Sequence, residues 1–420
     1  MHPLFILIYN LAIQCYYAGI LFASPWNRKA KQWLAGRKNQ FALFQNLLQE
    51  NEKRIWFHCA SAGEFEQGRP LMEACKKRWP QHKIVLTFFS PSGYEQRKSY
   101  AGADYIFYLP LDTSSHARQF VSLVKPSLAI FVKYEFWYQH LKALQQQNIP
   151  VLLISGIFRK EQLFFQWYGK PWRNVLRLFR HFFLQDQASL QLLKSLNIQN
   201  ATVTGDTRFD RVWDIALHPQ TLPVIQSFNG NSRVLVAGST WPDDEKILEV
   251  LIRLNPPNWK FILVPHELNE HHLNLLKSRF QDEAILYSSA DPDNCSSKRI
   301  LIVDAMGLLS SIYSYGNMAY VGGGFGKGIH NVVEAAVYGL PVIFGPHYQQ
   351  FNEAVALLAQ GGAASVHTAE ELIRAFHHFN DQADQVKSIN RNYVASQKGA
   401  TDLIMDYVHK INSGTSASAT

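Results

Sequence analysis

The sequence predicts an α/β protein built from two doubly wound domains. Short β-rich apolar runs alternate with longer amphipathic runs in the first half of the 420 residues, and the alternation restarts after a segment rich in Pro, Asn, Ser and Gly. Strands that alternate with helices imply βαβ units and a parallel sheet. A glycine-rich loop follows one of the later strands, and such sheets bind ligands beyond the carboxyl ends of their strands. A cleft between the two domains is therefore the expected site.

The chain divides into five predicted parts: an N-terminal membrane anchor (1–27), a first domain (28–216), a linker (217–232), a second domain (233–412) and a disordered tail (413–420). Strands of the first domain are expected at residues 55–59, 84–89, 105–109, 128–132, 151–155, 182–184 and 201–204. Strands of the second are expected at residues 234–237, 261–264, 300–303, 318–321, 342–344 and 363–366. Spacing predicts helices at residues 67–78, 138–147 and 188–196.

The N-terminal segment, residues 3–25, carries no charged side chain and is long enough to cross a bilayer. No basic run precedes it and no clear cleavage site follows, which disfavours a secretory signal. A basic cluster comes directly afterwards, at Arg28, Lys29, Lys31, Arg37 and Lys38. By the positive-inside rule, the globular body then lies in the cytoplasm. We interpret the segment as an uncleaved anchor that spans the membrane or lies in its interface; the alternative is a buried helix packed on the first domain.

The composition is that of a folded protein, with 47% hydrophobic and 18% charged residues. The net charge of +8 favours anionic partners, but it does not choose among nucleic acid, anionic lipid and a phosphorylated substrate. The four cysteines are Cys15, Cys59, Cys75 and Cys295, with no zinc-site spacing. A bound metal and a disulfide framework are not expected, and a reduced, cytosolic environment is the simplest account.

Three loops of the first domain carry candidate functional residues directly after predicted strands. Ser61-Ala62-Gly63-Glu64 sets a carboxylate at a loop–helix junction, as a general base or as an ordinary helix N-terminal acid. Ser90-Pro91-Ser92-Gly93 could hold a phosphate or sugar, or form an N-capping turn. Lys133-Tyr134-Glu135-Phe136-Trp137 suits sugar recognition through stacking, and a plain strand end is the alternative.

The glycine-rich loop of the second domain is the most specific motif, VGGGFGKGIHNVVEAAVYGLPVIFGP at residues 321–346. Glycines allow close approach to a phosphate, a following helix N-terminus favours negative charge, and Glu334 could hold ribose hydroxyls. A tight turn is the alternative. Gly238-Ser239-Thr240, Pro265-His266-Glu267 and Gly345-Pro346-His347 follow neighbouring strands and are expected beside this loop, although a lone histidine is more often structural.

Residues 164–183 interleave aromatic side chains with Lys170, Arg173, Arg177 and Arg180. This composition indicates an interfacial membrane patch. RNA binding and a half-buried helix are the alternatives.

Ten short motifs follow one another along the chain: SAGE, SPSGYE, YLPLD, VKYEFW, GDTRFDR, AGSTWPDDE, VPHE, VDAMGLLSSIY, GGGFGKGIHNVVEAA and GPHYQQF. With the N-terminal segment, this ordered set resembles the 3-deoxy-D-manno-octulosonic acid (Kdo) transferases of lipopolysaccharide biosynthesis. The similarity runs from about residue 4 to about residue 407.

The resemblance implies a GT-B glycosyltransferase with two Rossmann-like domains facing a cleft. It implies that the first domain binds the lipid A precursor (lipid IVA) and that the second binds CMP-Kdo. It further implies inverting transfer without a metal or cofactor, at the cytoplasmic face of the inner membrane, with anionic lipid and not nucleic acid as a further partner.

The expected site residues come partly from the resemblance and partly from the loops that follow predicted strands. Glu64 matches the catalytic base, and Glu135 matches the second acid of an E-T-E-x-W-P motif. The acceptor-binding set is Ser61, Gly63, Ser92, Gly93, Glu135 and Arg159. The donor-binding set is Ser239, Thr240, His266, Gly322, Gly323, Gly324, Gly328, His330, Asn331 and Glu334.

The chain departs from the family pattern at four positions. Lys133 replaces the first glutamate of E-T-E, Gly324 replaces a serine, and Ile329 replaces a glycine of the nucleotide motif. His266 stands where the family has the arginine of P-R-H, so Lys327 or Arg208 is a candidate substitute for that charge.

Two other classes of function remain open from the sequence. Another sugar-nucleotide enzyme of the same architecture, such as a UDP-GlcNAc epimerase or a different glycosyltransferase, would share the glycine-rich loop and Glu334. A non-catalytic lipid-binding membrane protein would lack nucleotide affinity. A Rossmann oxidoreductase is disfavoured because no G-x-G-x-x-G follows the first predicted strand.

Overall fold

The computed structural model describes residues 3–254 and 256–412. Its contacts divide the chain into a first unit, residues 3–210 with 399–412, and a second unit, residues 211–398. Each unit contains a seven-stranded sheet whose neighbouring strands run parallel. The prediction of two doubly wound α/β domains is confirmed. The predicted tail, residues 413–420, lies outside the described residues.

The elements of the first part of the chain are α1 (Pro3–Ala23), α2 (Arg28–Ala35), α3 (Gln40–Leu47), β1 (Arg54–Cys59), α4 (Ala62–Arg78), β2 (Lys83–Phe88), α5 (Pro91–Arg97), β3 (Tyr105–Tyr108), α6 (Ser114–Val124), β4 (Pro126–Val132), α7 (Tyr138–Gln146), β5 (Val151–Gly156), α8 (Lys170–Leu176), β6 (His181–Leu184), α9 (Gln187–Ser195), β7 (Ala201–Val203) and α10 (Arg208–Leu217). The strand order is β3-β2-β1-β4-β5-β6-β7. Chain order therefore reverses between β1 and β4, which is the topological switch point of this sheet.

The elements that follow are α11 (Pro223–Asn229), β8 (Arg233–Thr240), α12 (Pro242–Arg253), β9 (Trp259–Pro265), α13 (Glu270–Phe280), β10 (Ala284–Leu286), β11 (Ile300–Ile302), α14 (Leu309–Ile312), β12 (Met318–Val321), α15 (Val333–Ala336), β13 (Val342–Phe344), α16 (Asn352–Ala359), β14 (Ala363–Ser365), α17 (Ala369–Asp381), α18 (Ala383–Gln397) and α19 (Ala400–Asn412). The strand order is β10-β11-β9-β8-β12-β13-β14, so the second switch point lies between β8 and β12. The sequence missed only the three-residue edge strand β10.

The first sheet is buried on both faces because successive side chains of a strand point to opposite sides. Trp56 of β1 packs in one cluster with side chains of α1, α3, α6 and α7. Ile55 and Phe57 pack in another with side chains of α4 and α19, among them Ile404 and Val408. Helix α19 thus belongs to the first unit, which corrects its predicted place in the second domain.

The predicted linker is also corrected. Within residues 217–232 the chain forms α11, whose Ile225 and Phe228 are completely buried. The backbone N–H of Leu222 donates to the Tyr315 hydroxyl over 2.9 Å. The turn-forming residues of this segment led to the prediction of a linker, but they belong to a helix of the second unit. The division between the units falls within α10, after Asp210.

Helix α1 lies on the first unit by one face only. Phe5 and Tyr9 are buried, and the Phe5 ring stacks edge-on against Trp172 at 5.1 Å. The Tyr9 hydroxyl donates to the buried Asp112 carboxylate, and Gln139 Nε2 donates to Asn10 Oδ1 over 2.7 Å. Most of the other residues of the helix are exposed, although Ile6 and Ile13 are half-buried against the first unit, and the helix is long and apolar enough to cross a membrane. The alternative of a buried helix packed on the first domain holds only in part, because α1 packs on the first unit by this face while most of its residues are exposed.

The aromatic and basic stretch at residues 164–183 is mainly a packed element. Phe164 and Phe182 are buried, and Arg173 donates from Nε to the Phe164 carbonyl oxygen over 2.9 Å. Trp167 and Tyr168 instead form an exposed aromatic tip, with 89% and 52% of their surface accessible. Arg173 stabilises a turn, whereas Lys170, Arg177 and Arg180 are exposed, so the membrane patch stays a prediction for these three residues and the aromatic tip.

We expect Tyr9→Phe to lower the free energy of unfolding by about 1–3 kcal/mol, because a buried acceptor on Asp112 loses one of its donors. The measurement is urea unfolding of the detergent-solubilised protein. Tyr16→Phe is the matched control, since Tyr16 lies on the same helix and is 43% exposed. Equal midpoints for the two variants would contradict a structural role for this contact.

Candidate active site

The loops after β1 and β4 meet at the switch point of the first sheet and bring two carboxyl groups together; we call Glu64 and Glu135 the carboxyl pair. Ser61 begins helix α4 as its N-cap, and Glu64 is the third helical residue. The Ser61 backbone N–H donates to Glu64 Oε2 over 2.8 Å, and the Glu64 N–H donates to Ser61 Oγ over 3.4 Å. This reciprocal capping box fixes the Glu64 side chain at the helix start.

Glu64 is only 6% exposed. Burial, followed by the charge of Glu135, raises the pKa of Glu64 from 4.5 to about 7, against the smaller opposing effects of His58, Ser61 and Lys133. A helix N-terminus ordinarily lowers the pKa of a carboxyl group, so the capping interpretation alone does not account for this side chain. A carboxyl group with a pKa near neutrality is suited to general-base chemistry.

Glu135 follows β4 and is 9% exposed. Trp137 Nε1 donates to Glu135 Oε2 over 2.6 Å, and His58 Nε2 lies 3.3 Å from the same oxygen. Burial raises the pKa of Glu135 to about 7, although hydrogen bonds with Trp137 and Glu64 act in the opposite direction. The sequence identified both carboxyl groups but missed His58, a fully buried histidine within a β-strand.

The loop after β2 lies against the start of α4. Ser90 Oγ caps α5 by accepting the Gly93 N–H over 3.1 Å, and the Ser90 N–H donates to the Ala60 carbonyl oxygen over 2.8 Å.

 A Cβ on Gly93 would lie 3.0 Å from the Ala62 backbone nitrogen, so glycine permits this close approach. Ser92 is exposed on the same turn, whereas a Cβ on Gly63 would meet no crowding. The loop is both an N-capping turn and a neighbour of Glu64.

Arg159 follows β5 and lies near the loop that carries Glu135. It lines an open cavity of about 550 Å³ together with Tyr134 and Phe136, the two sequence neighbours of Glu135. Its backbone N–H donates to Gln162 Oε1 over 3.2 Å. Arg159 therefore contributes to a pocket that adjoins the loop of Glu135.

The sequence placed Arg37 in the basic cluster that follows the N-terminal segment, but in the structure it packs against the first sheet. Its guanidinium lies 3.8 Å from the Trp33 ring centroid and donates to the Phe89 and Leu109 carbonyl oxygens over 3.0 and 2.9 Å. Burial lowers the pKa of Arg37 to about 9. Arg37 thus connects the residues that follow β2 and β3 to α2 through hydrogen bonds and ring stacking. It is not part of an exposed basic cluster.

The glycine-rich loop follows β12 at the switch point of the second sheet. Gly323 and Gly328 have φ angles of 93° and 141°, which side chains rarely adopt. A Cβ on Gly322 would lie 2.3 Å from the Ser239 carbonyl oxygen, and one on Gly324 would lie 2.6 Å from Gly345 Cα. Backbone packing therefore requires several of these glycines.

The loop is held by a buried carboxyl group that the sequence did not single out. Asp244 Oδ2 accepts the Gly323 and Trp241 backbone N–H groups, each over 2.9 Å, and Oδ1 accepts the Tyr320 hydroxyl over 2.8 Å. Burial raises the pKa of Asp244. Ser239 adopts a positive φ of 53°, while Thr240 is buried and donates from its hydroxyl to Glu245 over 3.1 Å. Thr240 thus supports the loop from within.

Three aromatic rings stack beside the glycine-rich loop. The His266 ring lies 4.8 Å from Trp241 and 4.3 Å from His330, and Trp241 Nε1 donates to His330 Nε2 over 3.1 Å. Burial and the proximity of His266 lower the pKa of His330 to about 4, and burial lowers the pKa of His266. A neutral ring stack therefore occupies the position where the family pattern has an arginine. Trp241 entered the sequence analysis only as a letter of the motif AGSTWPDDE and was given no role there.

Glu334 is held by short polar contacts. Ser310 Oγ donates to Glu334 Oε2 over 2.5 Å, and Asn331 Nδ2 donates to Oε1 over 3.0 Å. Arg211 lies near enough for the Glu334 charge to oppose the lowering of the Arg211 pKa by burial. Helix α15, which contains Glu334, has only four residues, so the expected helix dipole is small.

Of the two cations suggested in place of the missing arginine, Lys327 is exposed on the glycine-rich loop. Arg208 belongs to the first unit, where its Nη2 lies 2.8 Å from Asp206 Oδ2. Arg211 is a third cation, within the second unit. Among residues 3–254 and 256–412, no group of three or more His, Cys, Asp or Glu side chains is placed to hold a metal ion.

The carboxyl pair makes the stability of the fold depend on pH. Both folded-state pKa values are raised from 4.5 to about 7, so the stability associated with the protonated forms is complete below about pH 4.5 and is lost as the pH rises through about 7. The free energy of unfolding of the unsubstituted protein should fall between about pH 5 and about pH 8. In the double variant Glu64→Gln/Glu135→Gln we expect this fall to be about 1–3 kcal/mol smaller. Urea unfolding at the two pH values measures this difference. Glu50→Gln, at an exposed position, is the control and should show the same dependence of the free energy of unfolding on pH as the unsubstituted protein. If the double variant also shows that dependence, the raised pKa values are refuted.

Comparison with known proteins shows which proteins this chain is similar to. A family model described as 3-Deoxy-D-manno-octulosonic-acid transferase (kdotransferase) matches residues 35–211, the range that contains the carboxyl pair. A 3-deoxy-D-manno-octulosonic acid transferase of Haemophilus influenzae is 26% identical over 96% of this chain and 96% of that protein. One of Rickettsia bellii is 25% identical over 84% of this chain and 88% of that protein. A bifunctional glycosyltransferase/methyltransferase of Fusobacterium nucleatum is 26% identical over 84% of this chain but only 57% of its own length.

Among solved structures, the UDP-GlcNAc 2-epimerase from Neisseria meningitidis bound to UDP-GlcNAc resembles this chain with a TM-score of 0.60 and 17% identity. The match covers 85% of this chain and 100% of that one. At this identity the likeness shows the GT-B fold alone. The family model shows a Kdo transferase domain at residues 35–211, and together with the transferase relatives it supports a Kdo glycosyltransferase of lipopolysaccharide biosynthesis.

Proposed function

We propose that the protein transfers Kdo from CMP-Kdo to the lipid A precursor, lipid IVA, with inversion at the anomeric carbon and without a metal. The observation that carries this proposal is the buried Glu64 carboxyl group at the switch point of the first sheet, with its pKa raised to about 7. The match to the Kdo transferase family supplies the reaction class, and the two substrates follow from the resemblance of the loop motifs.

Glu64 is the general base in this proposal. Its carboxylate accepts the proton of a glucosamine primary hydroxyl while that oxygen attacks the anomeric carbon of Kdo, and the bond to the CMP phosphate breaks. The capping box holds the carboxylate in one orientation, which reduces the reorganisation needed for proton transfer. Ser61, Ser92, Gly93 and Glu135 line the acceptor side, with Arg159 in the adjoining pocket.

The donor binds on the second unit in this proposal. The strained glycine-rich loop approaches the phosphate closely, and Glu334 accepts hydrogen bonds from the ribose hydroxyls. Lowered pKa values leave His266 and His330 neutral at neutral pH, so their contribution is stacking and hydrogen bonding. Positive charge for the phosphate and the Kdo carboxylate then comes from Lys327 or Arg211.

The enzyme also binds anionic lipid at the cytoplasmic face of the inner membrane in this proposal, with α1 lying in the interface. Tyr9 and Asn10, near the middle of α1, bond to side chains of the folded unit. A spanning helix would carry that part of the unit into hydrocarbon, where its polar loops would lack partners. An in-plane helix keeps these contacts and submerges the exposed leucines together with the tip at Trp167 and Tyr168.

We expect Glu64→Gln to lower Kdo transfer by about 10²-fold or more, because general-base assistance is lost. The assay is mass spectrometry of product from purified protein, CMP-Kdo and a tetra-acylated acceptor. Calorimetry with CMP should give the unsubstituted affinity for this variant, which separates lost chemistry from lost donor binding.

Glu50→Gln serves as the control in the same assay, since it makes the same chemical change at an exposed position. Near-normal turnover by Glu64→Gln would remove Glu64 from this role. Absence of any transfer by the unsubstituted protein would overturn the assigned substrates.

We expect Leu7→Ser/Leu11→Ser to weaken binding to vesicles of anionic phospholipid by about tenfold or more, because both leucines are over 60% exposed and would lose their burial in the interface. Co-sedimentation measures the bound fraction. Leu403→Ser is the control, at an exposed leucine of α19. Alkaline carbonate should release the unsubstituted protein from membranes, and retention after this wash would indicate a spanning helix.

A further inference from the structure

A cavity of about 730 Å³ lies within the first unit, against the second half of α1. Its apolar wall comes from α1, α2, α3 and the segment after β3, through the side chains of Tyr17, Leu21, Leu34, Phe41 and Leu111. We call it the α1–α3 cavity. Ligand sites ordinarily have volumes of roughly 300–1,000 Å³, and this cavity falls within that range. None of the described residues in its lining is proposed to bind the donor or the acceptor.

Two buried polar atoms in the lining of this cavity lack a hydrogen-bond partner. Trp33 is 3% exposed and Gln40 is 6% exposed, and both line the cavity. Within the described residues, nothing accepts the hydrogen of Trp33 Nε1 and nothing donates to Gln40 Oε1. Buried polar groups are ordinarily paired, with protein atoms or with a bound molecule. A ligand that offers both an acceptor and a donor would satisfy the two atoms.

The lining also carries positive charge without a matching carboxylate. The guanidinium of Arg37 donates to three neutral acceptors, the carbonyl oxygens of Trp33, Phe89 and Leu109. These bonds use three of its five N–H groups. Lys38 lines the same cavity and is exposed. Neither cation has a carboxylate partner within the described residues, and none of the described lining residues is Asp or Glu.

The neighbouring titratable groups do not cancel this charge. Burial lowers the pKa of His116, a further lining residue, so its ring is neutral at neutral pH. Asp112 is fully buried beside the cavity in the chain, but its carboxylate accepts the Tyr9 hydroxyl and the backbone N–H groups of Gln139 and His140. The cavity therefore favours an anionic ligand.

These features together specify the chemistry of the ligand. An anionic phosphodiester accepts the Trp33 Nε1–H and is attracted to Arg37 and Lys38. A hydroxyl on an uncharged headgroup donates to Gln40 Oε1, whereas an ammonium headgroup is repelled by the same two cations. An acyl chain buries its surface against the apolar wall, one side of which is α1, the helix proposed to lie in the membrane interface.

We propose that the α1–α3 cavity binds one anionic glycerophospholipid of the phosphatidylglycerol class, with its phosphate at Arg37 and Lys38 and an acyl chain along α1. The inference shares with the proposed function the position of α1 at the membrane, and it does not depend on Kdo transfer. It differs from general attraction to an anionic bilayer because a built site holds a single lipid, which remains bound after the membrane has been replaced by detergent.

The test is native mass spectrometry of the full chain in detergent, titrated with dioleoyl phosphatidylglycerol. One lipid should bind before any second one. Trp33→Phe keeps an aromatic ring but removes the N–H, and it should weaken this first binding by about tenfold. Lys38→Gln should weaken it by about two- to fivefold. Trp26→Phe and Lys31→Gln are the matched controls, at exposed positions outside the lining, and should leave the affinity unchanged.

Ala42→Trp provides a second route to the same site. Ala42 is exposed and lines the cavity, so a large ring at this position should fill it without disturbing the buried side chains. This variant should lose the first lipid, and it carries the test if Trp33→Phe does not fold. Leu7→Ser/Leu11→Ser, on α1 but outside the lining, should keep the first lipid in detergent even where it binds vesicles weakly.

Other probes separate the headgroup from the chain. Phosphatidylethanolamine with the same acyl chains should bind about fivefold more weakly or less well still, because its ammonium meets two cations. Glycerol 3-phosphate should bind at least about a hundredfold more weakly, because it buries no acyl chain. Lipid IVA should leave the bound phosphatidylglycerol in place.

Equal affinities of the unsubstituted, Trp33→Phe and Ala42→Trp proteins for phosphatidylglycerol would overturn the inference and leave water as the occupant. Equal binding of the two phospholipids, or displacement by lipid IVA, would overturn it as well. Kdo transfer without a lipid that depends on the cavity would refute this inference alone. A cavity-dependent lipid in a protein that makes no Kdo product would refute the proposed function alone.

Discussion

The burial of two carboxyl groups at the switch point of the first sheet is the constraint on which the proposed chemistry of this protein depends. Parallel strands end at the same edge of a sheet, and β1 and β4 are neighbours although most of the intervening chain lies elsewhere. Their loops leave in opposite directions, which opens a crevice there. Glu64 and Glu135 share this crevice because each follows one of these strands.

The local structure around the carboxyl pair opposes the unfavourable free energy of burying it. Ser61 supplies two donors to Glu64, and Trp137 supplies one to Glu135. These hydrogen bonds favour ionisation, whereas burial and the mutual repulsion of the carboxylates oppose it. Burial prevails for both groups, and their pKa values lie at about 7. The same interactions therefore both hold the carboxyl groups in place and set their proton affinity.

The second unit handles its switch point in a different way. Its buried Asp244 accepts the backbone N–H groups of Gly323 and Trp241 and so stabilises the loop. Trp241, His266 and His330 present a neutral stacked surface beside the glycines. Positive charge at this loop is left to residues such as Lys327, which is exposed. At its switch point the first unit thus has two buried carboxyl groups with raised pKa values. The second unit has a glycine-rich loop and a stack of aromatic rings.

The sequence by itself determined the two α/β units, nearly all their strands and the loops that carry Glu64, Glu135 and the glycines, because strand–helix alternation and the loop motifs are local in the chain. Only the tertiary structure decided that α19 completes the first unit, that residues 223–229 form a packed helix and that Arg37 stacks on the Trp33 ring. It also revealed His58, Asp244 and Trp241, whose partners lie up to about 90 residues away. Burial and hydrogen bonding between distant residues depend on which surfaces meet after folding, and a local pattern of residue types does not encode that meeting.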